Sequence, residues 1–138
     1  MIYLDTSALV KLYYQESDSA RFQQLFRKAP GVGTASLSYA EVFSAFNRKL
    51  RDRGIDRRQY DAAAQDFDED WRRFSIVPLS EDVLRRARTI LERQELRAGD
   101  AVQLASAVIL SGSTRMTFAS ADRRLNEAAR AEGLSLVL

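Results

Sequence analysis

The chain has 138 residues, 46% of them apolar, and a formal net charge of +2. That length suits one hydrophobic core, and that apolar content excludes a disordered chain. It holds neither cysteine nor histidine, so disulfides, thiolate nucleophiles, Ser-His-Asp arrangements and imidazole or thiolate metal sites are all excluded.

The predicted elements run as follows. Ile2–Leu4, "IYL", reads as a short buried strand ending at Asp5, and a helix is expected from Thr6 to about Tyr14. "SDSARFQQLFRKA" reads as a second helix with Phe22, Leu25 and Phe26 on one face, stopped by Pro30 and Gly31. "VGTA", Val32–Ala35, is a strand. "SLSYAEVFSAFNRKLRDRG" is a helix with Val42, Phe43, Phe46 and Leu50 as its stripe and Gly54 as its stop. "DRRQYDAAAQDFDEDWRRF" is another, with Tyr60, Ala64, Phe67 and Trp71 in line. "FSIVPL", Phe74–Leu79, is a strand broken near Pro78. A helix follows with Ser80 as N-cap and two acids in its first turn. "GDAVQLASAVILSG" is apolar almost all round, as a central packed helix is. "RMTFA" is a strand, "SADRRLNEAARAEG" a helix, and "LSLVL" a final strand.

Short, continuously apolar strands alternating with helices are the pattern of an α/β fold, a parallel sheet covered on both faces. No composition shift or repeat marks a boundary, so 1–138 is expected to form a single domain. No apolar run reaches the length that spans a bilayer, and the N-terminus has no signal-peptide pattern, so the cytoplasm is the expected compartment.

In a parallel sheet the ligand site lies at the carboxyl ends of the strands. Asp5 follows the first strand, Glu41 lies in the first turn of the helix after "VGTA", and Asp122 follows "RMTFA" by three residues. Asp100 opens the buried helix. Each acid has an ordinary reading: Asp5 and Asp100 as helix N-caps, Ser38 with Glu41 as a capping box, and Asp122 as a charge favoured by the dipole of the last helix. Together they suggest more. Crowded carboxylates repel one another unless a cation neutralises them. Acids without histidine are the ligand set of a hard divalent ion, Mg²⁺ or Mn²⁺. Arginine far outnumbers lysine and clusters at Arg51, Arg53, Arg57 and Arg58, at Arg72 and Arg73, at Arg85, Arg86 and Arg88, and at Arg123 and Arg124. These are solvated helix faces or contacts for a nucleic-acid backbone.

The stretches "YLDTSALVKLY", "SYAEVFSAF", "LRAGDAVQLASAVI" and "FASADRRLNEAA", in that order, resemble the PIN-domain ribonucleases, and most closely the VapC toxins of toxin–antitoxin pairs. The resemblance covers the whole chain. It implies a PIN-like, Rossmann-like parallel sheet of four to five short strands flanked by helices. It implies that Asp5, Glu41, Asp100 and Asp122 are the metal-binding catalytic quartet, with Thr6 and Ser120 as small polar residues beside the first and last acids. It further implies an endoribonuclease using Mg²⁺ or Mn²⁺, a metal-activated water attacking RNA, a VapB-type antitoxin, a tRNA or rRNA substrate, a homodimer, and no membrane. Gln103 and Gly99 depart from the common pattern, which often has histidine and a bulkier aliphatic there. Neither is expected to supply a ligand; an effect on substrate fit or on packing of the buried helix is expected. Two rival readings are an aspartyl-phosphate enzyme using Asp5, disfavoured because Ser7 stands where a second acid is needed, and a PIN fold that binds RNA or a partner without cutting. Of the adjacent Tyr13 and Tyr14, one is expected in the core and the other on a partner surface.

Overall fold

The structure, a computed structural model, describes residues 1–137. Its elements in order are β1 (Ile2–Leu4), α1 (Thr6–Val10), α2 (Ser19–Lys28), β2 (Val32–Ala35), α3 (Leu37–Arg51), α4 (Arg57–Trp71), β3 (Ser75–Val77), α5 (Glu81–Arg93), α6 (Ala98–Ser111), β4 (Thr117–Ala119) and α7 (Arg123–Ala131). The four strands form one sheet in the order β3-β2-β1-β4, and every pairing is parallel. Ile2 pairs with Val32 and Thr117, and Leu4 with Ala119.

Alternation along these short strands sends side chains to two separate cores. Ile2, Leu4, Val32 and Ala119 pack with residues of α1, α2, α3 and α4, whereas Tyr3, Phe118 and Val77 pack with α5, α6 and α7. Both sheet faces are therefore covered, which is why the strands read as continuous apolar runs. The connections out of β1 and β2 fill one face, and those out of β3 and β4 fill the other. The strand order reverses at β1, between β2 on one side and β4 on the other.

Two cores have distinct textures. On the first face Phe67 is fully buried at the centre of an aromatic cluster, with ring centroids 5.4 Å from Tyr13, 5.6 Å from Phe43 and Trp71, and 6.1 Å from Phe46. Edge-on and tilted geometries dominate, as the quadrupoles of packed rings require. On the second face α6 carries Ala101, Ala105 and Ala107, all fully buried, so its backbone lies close against the sheet. Gly33 on β2 assists: a Cβ there would fall 2.5 Å from Leu110 Cδ2.

Four local expectations are corrected. The first helix stops at Val10 rather than near Tyr14, and Lys11–Tyr13 form turns. Tyr13 and Tyr14 consequently do not diverge as helix neighbours: both are half-buried and both meet Phe46 edge-on, with Tyr13 also donating to Asp70 at 2.8 Å. The expected final strand contracts to a single parallel bridge between Leu136 and Phe118, and its last residue, Leu138, lies outside the described residues. α3 ends in a Schellman motif, Gly54 N–H donating to Lys49 and Arg53 N–H to Leu50, but the left-handed residue is Arg53 (φ 58°), not Gly54. A capping box that sequence inspection passed over starts α4, with Asp56 and Gln59 bonded reciprocally.

Candidate active site

β1 delivers Asp5 to the carboxyl edge of the sheet, where its side chain caps α1. Oδ1 accepts from Ala8 N–H at 3.0 Å and from Ser7 Oγ at 2.8 Å, and Oδ2 accepts from Ser120 Oγ at 2.8 Å. With 3% exposure, Asp5 is a buried acid. Burial pushes its pKa up to about 6; the bonds from Ala8, Ser120 and Ser7 pull it down, and the negative charge of Asp100 adds to the rise. Ser120 stands just past β4 and also accepts from Asp122 N–H at 3.0 Å, while Ser7 accepts from Ala121 N–H at 3.0 Å. The two serines thereby tie the ends of β1 and β4 together under the carboxylate.

Glu41 sits one turn further into α3 than the sequence suggests, and no capping box forms there. Ser36 is the N-cap and makes no side-chain cap bond, and Ser38 is buried inside the helix. Glu41 Oε1 instead accepts from Thr6 Oγ1 at 2.7 Å and from Gln103 Nε2 at 2.8 Å. Thr6 thus donates to Glu41 and not to its neighbour Asp5, and Ser120 donates to Asp5 and not to Asp122.

Asp100 is the third residue of α6, not its cap, because the helix starts at Ala98 with Arg97 at the N-cap. It is half-buried. Its pKa is raised by that burial and by Asp122 and Glu41 nearby, and Arg97 and Arg124 offset part of the rise. Asp122 is exposed and caps α7, Oδ1 accepting from Arg124 N–H at 2.9 Å and Leu125 N–H at 3.4 Å. Capping and site-building are therefore not alternatives for Asp5 and Asp122: the same side chains cap their helices and face the crevice.

All four acids line one cavity of about 370 Å³, together with Thr6, Ser7 and Gln103 and with Arg48 and Arg97 at the rim. A second cavity of about 410 Å³ adjoins it and shares Arg97, Asp100 and Asp122, adding Arg124. Arg48, Arg97 and Arg124 are exposed. Among the described residues none of the four carboxylates is ion-paired with a lysine or arginine. A larger cavity, about 610 Å³, opens near the amino ends of β1 and β4, at Met1, Arg115 and Thr117, and none of the described residues lining it is acidic. The carboxyl edge has the chemistry; the larger cavity does not.

The donor set suits a hard cation: the four carboxylates and the hydroxyls of Thr6 and Ser7 present oxygen, and burial, with neighbouring negative charge, raises the pKa of Asp5 and Asp100. Among the described residues no three carboxylates are gathered tightly enough to hold an ion by themselves. That agrees with Mg²⁺-type sites, which use one or two carboxylates and leave positions to water and phosphate oxygens. Sequence inspection missed Ser7, Ser38 and Tyr3 as supports. The signal in the sequence is Gln103, a polar amide in a mostly apolar helix, which the structure buries at 2% exposure.

The sequence model of the PIN domain family matches residues 2–131. The chain is 31% identical to Ribonuclease VapC45 of Mycobacterium tuberculosis over 133 residues, covering 96% of this chain and 92% of that one. Among solved structures it is similar to M. tuberculosis VapC20, described as a Sarcin-Ricin loop cleaving toxin, with a TM-score of 0.72, 20% identity, and 99% and 98% of the two chains covered. It is also similar to VapBC2 of Rickettsia felis, bound to a DNA fragment from its promoter, with a TM-score of 0.69, 17% identity and coverage of 99% and 98%. With a matching sheet, a matching family model across nearly all its length and a VapC ribonuclease as relative, the chain belongs to the PIN-domain family, among the VapC proteins.

Proposed function

We propose that this chain is a Mg²⁺- or Mn²⁺-dependent endoribonuclease acting as the toxin of a VapBC-type pair, its residues working as one PIN unit. The observation that carries this reading is the convergence of Asp5, Glu41, Asp100 and Asp122 on one crevice without a cationic partner. Those four are the proposed holders of the ion, one or two binding it directly and the others through its water shell. When bound, the ion supplies a Lewis acid for the phosphodiester and lowers the pKa of the attacking water.

The chain's own residues then have separable tasks. Ser7, Ser120 and the Ala8 N–H hold Asp5, and Thr6 and Gln103 hold Glu41. Asp122 is fixed through Oδ1 and its Oδ2 makes no hydrogen bond among the described residues, leaving it to orient water. With no histidine in the chain, proton acceptance falls to these carboxylates. Arg48, Arg97 and Arg124 stand at the rim to pair with phosphates on either side of the bond being cut. Single-stranded or loop RNA suits such a crevice, since its backbone bends into it.

A VapB-type antitoxin is the proposed partner, and the aromatic face of α3 and α4 is its proposed seat; Tyr39 there is 38% exposed. A homodimer in the cytoplasm completes the reading, and among the described residues no helix is long and apolar enough to cross a membrane. Incubating the purified chain with structured RNA tests the function. Cleavage should require Mg²⁺ or Mn²⁺, stop with chelator and resume on adding back either ion. Cleavage that persists in chelator, or none with any divalent ion, refutes it.

A further inference from the structure

Gln103 projects from α6 into the space between β1 and α3 and makes a directed set of bonds, its two N–H protons shared among three oxygens. Its Nε2 lies 2.8 Å from Glu41 Oε1, 2.8 Å from Ser38 Oγ and 3.1 Å from Thr6 Oγ1. A carboxylate only accepts, so the amide must turn its N–H groups toward Glu41, and Oε1 toward Tyr3. Tyr3, fully buried, donates its hydroxyl to that Oε1 at 2.8 Å. On the other side Ser38 accepts from Gln103 and passes its own proton to Thr34 Oγ1 at 2.7 Å, which donates to the Leu4 carbonyl at 2.7 Å. The Leu4 carbonyl at one end and the Glu41 carboxylate at the other only accept, so the chain of bonds admits no reversal and Tyr3 is left to donate.

The consequence falls on Glu41. Oε1 receives both Thr6 and Gln103, while Oε2 makes no hydrogen bond among the described residues. Oε2 lies over Gly99, where a Cβ would stand 3.0 Å from it, closer than the roughly 3.3 Å of an ordinary carbon–oxygen contact. The glycine leaves that oxygen room.

We propose that Gln103, locked by Tyr3, is a positioning residue that makes Glu41 a one-oxygen ligand, presenting Oε2 to a divalent ion across the space Gly99 leaves clear. This rests on the metal-dependent reading above and adds what that reading does not contain: which oxygen of Glu41 serves, what fixes it, and why the second residue of α6 is a glycine.

Mn²⁺ binding to the purified, RNA-free protein, followed by loss of the free-ion EPR signal, reads the geometry without reference to cleavage; circular dichroism and melting confirm the fold. Gln103→Met keeps the length and removes the bonds, and Mn²⁺ affinity should fall about ten-fold or more. Gly99→Ala is safe for folding, because alanine is the better helix former. It should also weaken binding, since the clamp on Oε1 keeps Glu41 from retreating. In the double variant the carboxylate is free to move, so the alanine should cost much less than it does alone. Wild-type affinity in Gly99→Ala, wild-type affinity in folded Gln103→Met, or strict additivity of the two would each overturn the clamp while leaving the metal reading intact. A wild-type protein that binds no Mn²⁺ would overturn both.

Discussion

Asp5→Asn should make the metal-free protein more stable while removing its activity. Burial and the neighbouring Asp100 raise the Asp5 pKa from 3.8 to about 6, so the folded state holds this proton more tightly than the unfolded chain does. Below about pH 3 the carboxyl is protonated in both states and contributes no difference. As pH rises through about 4 to 6, the unfolded chain ionises first and wild-type stability falls, at no more than about 1.4 kcal/mol per pH unit. Above about pH 6 the folded state carries a buried charge at a cost of about 3 kcal/mol. Asparagine never carries that charge, and its Oδ1 still accepts from Ala8 and Ser7, while Ser120 turns its hydroxyl to accept from Nδ2. Urea unfolding in chelator at about pH 3 and about pH 7 is the assay. The variant should match wild type at the lower pH and exceed it by about 3 kcal/mol at the higher, or about 10 °C in melting temperature. Mn²⁺ should narrow the gap at neutral pH by stabilising wild type alone. A variant no more stable than wild type at neutral pH, or a gap independent of pH, would refute the reasoning.

Arg53→Gly should stabilise the fold by about 1 kcal/mol in urea melts, because the Schellman motif of α3 forces φ 58° on a residue with a Cβ. Phe67→Ala should lower stability by about 3–5 kcal/mol in the same assay, since it empties the centre of the aromatic cluster that joins α3, α4 and the segment after α1.

The layout of the site was legible in the sequence because it depends on order along the chain. Strand-then-acid recurs at Asp5 and Asp122, and in an all-parallel sheet that rule alone brings both to one edge. The supports were not legible, because they join residues far apart: Gln103 meets Tyr3 across 100 positions and Glu41 across 62, and Ser120 meets Asp5 across 115. Local rules misassigned the same residues for a physical reason. Ser38 and Glu41 have the spacing of a capping box, but α3 begins at Leu37, one residue before Ser38, so both face inward to α6 and β1. The apolar run at the end of the chain satisfies the strand pattern, yet among the described residues Leu136 alone forms a bridge, with Phe118.

The central claim is that four carboxylates at one crevice hold the ion that cuts RNA. Single-turnover cleavage by Asp5→Asn and Asp100→Asn, each first shown by circular dichroism to be folded, tests it most directly. The account predicts that both variants lose activity by orders of magnitude in saturating Mg²⁺ or Mn²⁺, with Asp5→Asn at least as stable as wild type. Two folded variants cleaving at the wild-type rate would contradict it and reduce the acids to helix capping and charge.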